Sequence, residues 1–520
     1  MADYNVQNES ARILLENIMG DDRLGWTPEV KEACRNVKFI GDSKPFIPTP
    51  LKITESASSL SGLLGALAAA VAEERYGVKQ DVTVNTDKAT LFLMGILLPT
   101  IDGESFVKSK AIGDALADVK TKKWFHLHGS MNAAHCMRMV GVPEQDVTHK
   151  EAQAIYAEKV AQWDSEEIDR TANDEFKQAG CICNTVEEFW AHPHTKILEK
   201  EPMVTLVSHS APKKQWPSVG GTDYRPLAGI RVVDHTRAVA GPTVSKLLAV
   251  LGADVIKVSY KGIPDTSVCL LDINTGKRDV DINLKTEEGK AVLNKIMEGA
   301  DVFIDGYRPH SIAKLGFDAE SLRKFNPSLI YVRENCYGWR GPLSYRTGWQ
   351  QIADCFAGLS WMQGEFLGLN EPVVPLLPNS DYQTGIIGAT TIVQALLKRA
   401  NSDITFDIDI SIVQYNIWYY RLGQYTKDQG KAILARNPTF EARHYDEMGS
   451  MFAKMVVAVN ESRPGLLQTP EFYTKMSGKN WGEDRDIFIL GAPFALSKSK
   501  VDYLTPSGPR GWSNNNCGWN

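Results

Sequence analysis

No block of clustered lysine and arginine occurs in the chain, and its formal net charge is −6. Nucleic acid and anionic membrane surfaces both select for concentrated positive charge, so neither is expected as a main partner. No stretch reads as long and apolar enough to span a bilayer, and a soluble protein is expected. The N-terminus, MADYNVQNESARILLENIMG, carries early acids and lacks the basic, apolar and small-residue zones of a secretory signal or the Arg-rich face of a transit peptide. Cytoplasm is therefore the expected compartment. There is no CxxC: the eight cysteines are scattered, and the close pair Cys181 and Cys183 has the wrong spacing for a redox or zinc site, which leaves buried free thiols. The pairs His126/His128 and His192/His194 alternate onto one side of a strand but have no second ligand cluster, so no metal is expected. A GxGxxG is also missing. Arg237-Ala-Val-Ala-Gly-Pro242 stands where it would fall, and a nicotinamide or flavin dinucleotide is not indicated.

What is present is ordinary globular composition, 43% hydrophobic and 23% charged, over 520 residues, enough for two to four domains. From Gly229 the segment GIRVVDH reads as a buried strand, AGPTVSKLLAVLGA as a short amphipathic helix and DVIKVS as a second strand. The rhythm repeats with a helix over about Thr286 to Glu298, the strand DVFIDGY, a helix over Asp318 to Phe325 and the strand SLIYVREN. Such alternation predicts a parallel sheet covered on both faces, with a ligand crevice at the carboxyl ends of its strands.

The first half differs. A Ser/Ala/Leu/Gly-rich helix (SSLSGLLGALAAAVAEERYG) is followed by the strand-like QDVTVNT and then by mostly helical, polar sequence to about Lys200. The linker SHSAPKKQWPSVGGTDYRP separates it from the βαβ region. A weak internal repeat joins the halves: Gly62-Leu-Leu-Gly65-Ala66, AVAEER and QDVTV match Gly385-Ile-Ile-Gly388-Ala389, QALLKR and FDIDIS. In that alignment Asp381 of the second copy corresponds to Ser58 of the first.

The blocks GIRVVDHTRAVAGP, LGADVIKV, INTGKRDVDINLKT, GADVFIDGYRP, LGF, NPSLIYV, GP, CFAGL and SDYQTG, in this order from about Pro226 to Asn416, resemble the class III (CaiB/BaiF-like) coenzyme A transferases. That family includes formyl-CoA:oxalate and carnitine CoA transferases and, more distantly, 2-methylacyl-CoA racemases. CICNTVEEFWAHPHTKILEKEPMVTLV in the first half resembles the family's small-domain segment. The resemblance implies two family units in tandem: a partial, degenerate unit over 1–215, a linker over 216–226, a Rossmann-like CoA-binding catalytic domain over 227–420 and a divergent segment over 421–520. The implied fold class is α/β, a Rossmann-like open parallel sheet with a helical or α+β small domain. The implied partners are an acyl-CoA and a carboxylic acid. Coenzyme A thioester would be substrate with no tightly bound cofactor, and a homodimer would follow the family's habit.

On local grounds Asp381 lies in the first turn of the helix SDYQTGIIGATTIVQALLKR, with Ser380 and Gln383 at capping-box spacing. A helix N-terminus would keep its carboxylate charged. The family's catalytic Asp stands in an Asp-x-x-x-Gly block, matched by Asp381-Tyr-Gln-Thr-Gly385, which implies that Asp381 carries the acyl group and then CoA. The resemblance also implies CoA contacts from Ala238, Val239 and Ala240 in the turn after the first strand, from Lys277 and Lys314 to phosphates, and from Tyr307 near adenine. Departures are Tyr260 for an Arg, Asn335 for a Lys and Asp354 for a Gln. The Gly-rich covering loop of some relatives is not recognisable after Asn416, which leaves three alternatives: a neighbouring chain shields the site, the first half does, or the shielding is poor. A racemase would need a His base where Trp349 stands. A non-catalytic CoA-binding pseudoenzyme would not need the Asp381 block that this chain retains. A hydrolase or lyase would use the same aspartyl-CoA intermediate on one particular acid.

Overall fold

A computed structural model of the chain describes residues 4–105, 115–118, 121, 123–145, 147–266, 269–482 and 484–519. Among these, seven strands form the central sheet: β1 (Thr205–Ser210), β2 (Arg231–His235), β3 (Asp254–Ser259), β4 (Lys277–Asp281), β5 (Val302–Asp305), β6 (Ile330–Asn335) and β7 (Ile404–Ser411). Their order across the sheet is β4-β3-β2-β5-β6-β7-β1. All pair in parallel except β1, which runs antiparallel to β7. The run Val302-Phe303-Ile304 in β5 is fully buried, as expected of a parallel strand covered on both faces. The order reverses between β2 and β5, and that reversal opens a crevice at the carboxyl ends of those two strands.

Six helices frame the sheet and its crevice: α1 (Ile53–Tyr76), α2 (Ala240–Val250), α3 (Glu287–Glu298), α4 (Gln350–Phe356), α5 (Asn379–Asn401) and α6 (Ile412–Arg421). The expected helix at 318–325 is shorter, Ala319–Arg323, capped by the Asp318 side chain. Helix α5 packs on α2 and on α1. The repeated glycines explain how two long helices settle so close to strands. A Cβ on Gly388 would come 2.7 Å from Ile410 Cδ1, and one on Gly65 would come 2.6 Å from Val82 Cγ1. Both copies of the motif therefore use a missing side chain for the same close approach of helix to sheet.

Two expectations change. Helix α1 is long and apolar enough, by length and composition, to cross a bilayer, contrary to what the sequence suggested; 94% of its apolar 18-residue window is buried within the fold. The stretch expected to be mostly helical up to Lys200 also contains an antiparallel sheet of Ala115–Asp118, Trp124–Leu127 and Gly180–Ile182. The sheets run across the expected domain divisions. Strand β1 comes from the first half, Phe494–Leu496 pairs with Val82–Asn85, and Asp486–Leu490 reaches Thr100–Ile101. Backbone groups left open at one segment's edge are satisfied by another segment distant in sequence.

Candidate active site

A cavity of about 500 Å³ opens at the carboxyl ends of β2, β5 and β6. Arg237 to Ala240 enter it from the turn between β2 and α2, Gly306 to Pro309 from the turn after β5, and Glu334 to Cys336 from the end of β6. Asp381, third residue of α5, lines the same space. The sheet order thus gathers Asp381, Ala238, Val239, Ala240 and Tyr307 around one crevice.

The first turn of α5 is not held by a capping box. Its N-cap is Pro378, without a side-chain cap. Ser380 instead donates through Oγ to Asp354 Oδ1 at 2.8 Å, and Gln383 bonds to Asn379. Asp354, on α4, also accepts from Asn416 Nδ2 at 2.7 Å and from Gln350 Nε2 at 3.0 Å. One carboxylate therefore ties α4, α5 and α6 together beneath the cavity. Burial pushes Asp354 up to about 7 even though these hydrogen bonds favour its charged form.

The Asp381 carboxyl makes no hydrogen bond with a described residue. Burial, then the neighbouring charge of Asp354, pushes its carboxyl up to about 8. The sequence suggested that the helix N-terminus keeps it charged; burial and the Asp354 charge act in the opposite direction. A second acid shares the cavity. Glu334 is 8% exposed and is pushed up to about 8 by burial, then by Asp381 and Asp305.

The positive side of the cavity differs from the expected one. Lys277 lies on β4 with its side chain fully buried, and its ammonium sits 2.9 Å from Asp234 Oδ2 and 2.7 Å from the Pro242 carbonyl. Burial lowers its pKa to about 8. Asp234 is held below its usual value because Lys257 and Lys277 outweigh its own burial. Lys277 is thus a partner of the fold beneath the turn and does not reach the cavity, contrary to the phosphate contact the resemblance implies. Lys314 is exposed in the turn Ala313–Leu315, outside the cavity lining. The cations that do line the cavity are Arg237, Arg308 and Arg346. Arg237 donates to the Pro264 carbonyl and lies over the Tyr307 ring, which stacks on His235 with ring centroids 4.1 Å apart. Burial, then Arg237, lowers the Arg308 pKa, so the two guanidinium groups are held close enough to repel each other. An anion placed between them would relieve that repulsion. Sequence reasoning missed both arginines, although Arg237 stands beside the singled-out turn and Arg308 directly follows Tyr307.

The first half covers the cavity. Ser130, Met131, Asn132, His135, Phe176 and Gln178 line its outer side. Trp349 joins the two halves: its indole N–H donates to Ser130 Oγ at 3.1 Å, and its ring stacks on His128 at 5.3 Å. Arg346 makes a bidentate pair with Asp169 at 3.1 and 2.7 Å. The shield that the sequence left unassigned therefore comes, at least on this side, from the same chain.

An open α/β sheet with a carboxyl at its switch point defines the architecture of the site, and comparison with known proteins gives the family. Residues 227–445 match the family model of CoA-transferase family III. An acetyl-coenzyme A transferase, nodX, of Hypoxylon pulicicidum is 33% identical over 513 residues, spanning 91% of this chain and 86% of that protein. An acyl-CoA transferase of Gibberella moniliformis (strain M3125 / FGSC 7600) is 31% identical, covering 73% of each. Among solved structures, Rv3272 of Mycobacterium tuberculosis aligns with 56% of this chain and 98% of its own at 21% identity and a TM-score of 0.43. The chain belongs to CoA-transferase family III and is a CoA transferase that uses acyl-CoA.

Proposed function

We propose that the enzyme moves coenzyme A from an acyl-CoA donor to a small or medium-sized carboxylic acid through an aspartyl-CoA thioester on Asp381. The observation that carries this reading is the placement of the Asp381 carboxyl, without a hydrogen-bonding partner among the described residues, in the covered cavity at the sheet's switch point. An oxygen with no internal partner is available to attack, and a covered site protects the activated acyl group from water.

In the proposed cycle an Asp381 oxygen attacks the thioester carbonyl, the C–S bond breaks, and a mixed anhydride and CoA thiolate result. The thiolate then attacks the Asp381 carbonyl carbon of the anhydride, releasing the donor acid and leaving the aspartyl-CoA thioester. The acceptor carboxylate runs both steps in reverse. Each step passes through a tetrahedral oxyanion, for which backbone N–H groups of the turn at 238–240 and of the first turn of α5 are candidate donors. Arg237 and Arg308 supply a paired cationic edge for the phosphates of CoA, and the cavity volume of about 500 Å³ suits the thioester end with a compact acid.

Purified enzyme incubated with acetyl-CoA and with succinyl-CoA, then quenched with hydroxylamine or borohydride, should carry a donor-dependent modification on the Asp381 peptide by mass spectrometry. Asp381→Ala should carry none. A protein that turns over acyl-CoA with no modification on that peptide would overturn the reading.

A further inference from the structure

The proposed cycle leaves one cavity-lining acid without a task. Glu334 is the last residue but one of β6, before Asn335 and Cys336, and its carboxyl lines the same cavity as Asp381. It forms no ion pair and no side-chain hydrogen bond with a described residue, whereas Arg333 next to it is bound to Asp409 at 2.7 Å. The carboxyl is directed toward the turn after β5: a methyl group added to Gly306 would come within 3.2 Å of Glu334 Oε2. Gly306 and Tyr307 line the cavity there. A nearly buried acid with no internal partner costs stability, so its retention in this position asks for a use in the site.

Resting on the assignment of Asp381 as nucleophile, we propose that Glu334 is a second catalytic carboxyl, which gives its proton to the CoA sulfur as the thiolate leaves and takes it back as the thiol attacks. When the Asp381 oxygen bonds to the acyl carbon and the C–S bond breaks, the Glu334 O–H proton passes to sulfur, leaving CoA thiol and a Glu334 carboxylate. When sulfur then bonds to the Asp381 carbonyl carbon and the anhydride C–O bond breaks, the proton returns to Glu334 and the donor acid departs as carboxylate. No proton is gained or lost over the two steps, and no other reactant is needed.

The groups around Glu334 support a resting proton on it. Asp381 from α5 and Asp305 from β5 both oppose its charge, after burial itself. Tyr307, Arg308, Arg237 and Arg346 line the same cavity, with Cys336 just after the end of β6 and His135 from the cover. Two of the three arginines are engaged elsewhere, Arg346 with Asp169 and Arg237 with the Pro264 carbonyl and Asp265, and Arg308 lies near enough to Arg237 to feel its charge. Burial and the two acids hold Glu334 at about 8, between the ordinary carboxylate and thiol ranges, which suits exchange of a proton with sulfur.

The test compares wild type, Glu334→Gln, Glu334→Asp and Asp381→Ala with acetyl-CoA and succinyl-CoA as donors. It follows trapped adduct, kcat, KM for acyl-CoA, and kcat against pH. For Glu334→Gln the expectation is a fall in kcat of about 100-fold, the scale of lost acid–base catalysis. KM should stay within about threefold, the adduct should still form slowly on Asp381, and the alkaline limb of kcat should disappear. Glu334→Asp should restore part of the rate and a limb. A Glu334→Gln enzyme with kcat within twofold of wild type and an unchanged pH profile overturns the proposal while leaving Asp381 in place. Absence of any wild-type adduct at Asp381 overturns the underlying assignment and this role with it. If Glu334→Gln does not fold, as judged by its thermal transition, Glu334→Asp decides: an unaltered pH profile and rate in it sinks the idea.

Discussion

Asp354 accepts a hydrogen bond from Ser380, and Ser380 immediately precedes Asp381 on α5, so that contact links the buried Asp354 carboxyl to the residue next to Asp381, which lines the cavity. The charge of Asp354 opposes that of Asp381. Replacing Asp354 by Asn removes this repulsion, which acts above about pH 7 where Asp354 is ionised. In the proposed cycle the reactive form of Asp381 is the carboxylate, so activity is expected to rise with pH as it ionises. In Asp354→Asn that rise should move to lower pH, and stability should fall by about 1 kcal/mol because the amide cannot accept from Ser380, Asn416 and Gln350 together. A pH profile of kcat/KM with a thermal melt checks both.

The raised pKa of Asp381 is also a statement about stability. Its folded value of about 8 lies above the ordinary 3.8, so the native state holds this proton more tightly than the unfolded chain does. The corresponding stability is complete below about pH 4 and is lost as pH rises to 8. Asp381→Asn stays neutral throughout. It should form no adduct, yet be more stable than wild type at pH 8, on the order of a few kcal/mol, and equal to it at pH 4. Denaturant melts at the two pH values check this, and equal stabilities at pH 8 would show that Asp381 is not desolvated in solution.

Much of the site could be read from the sequence because its parts sit at the ends of strongly patterned segments. The apolar strand GIRVV and the small-residue helix after it fix the turn at 238–240, and the Gly385/Gly388 helix fixes Asp381 at its start. What escaped depends on packing between distant segments. Glu334 reads as an ordinary strand residue until the sheet order puts the end of β6 against the cavity. Lys277 reads as a basic residue at a turn, but β4 buries it against Asp234. Ser380 and Gln383 have capping-box spacing, yet the Ser380 hydroxyl is drawn to Asp354, a residue 26 positions away. The cover over the site has no local signature either, since it forms only where Ser130 and His128 meet Trp349.

Lys277 separates a structural ion pair from a ligand contact. Its ammonium and Asp234 are both fully buried, and removing one partner leaves the other charge with less compensation. Lys277→Met should lower stability by roughly 3 kcal/mol while acyl-CoA affinity at a temperature below the transition changes less than threefold. Arg308→Ala should do the opposite, raising KM for acyl-CoA about tenfold or more with little change in melting temperature, since Arg308 lines the cavity beside Arg237. Calorimetric binding and thermal melts on both variants give the comparison.

Trp349 bears on the distinction between transfer and hydrolysis. A transferase must hold an anhydride and a thioester long enough for the acceptor to arrive, and water at much higher concentration competes throughout. The indole closes the cavity by bonding to Ser130 and stacking on His128, both in the first half of the chain. Trp349→Ala removes this clasp without touching Asp381. With acyl-CoA and no acceptor acid, it should release free CoA and acid at least about tenfold faster than wild type, while its transfer rate with acceptor falls. A thiol-reagent assay run with and without acceptor measures both rates. If hydrolysis does not increase in Trp349→Ala, water is kept out by something other than the first half of the chain, and the proposed aspartyl intermediates are protected chiefly by their speed of turnover.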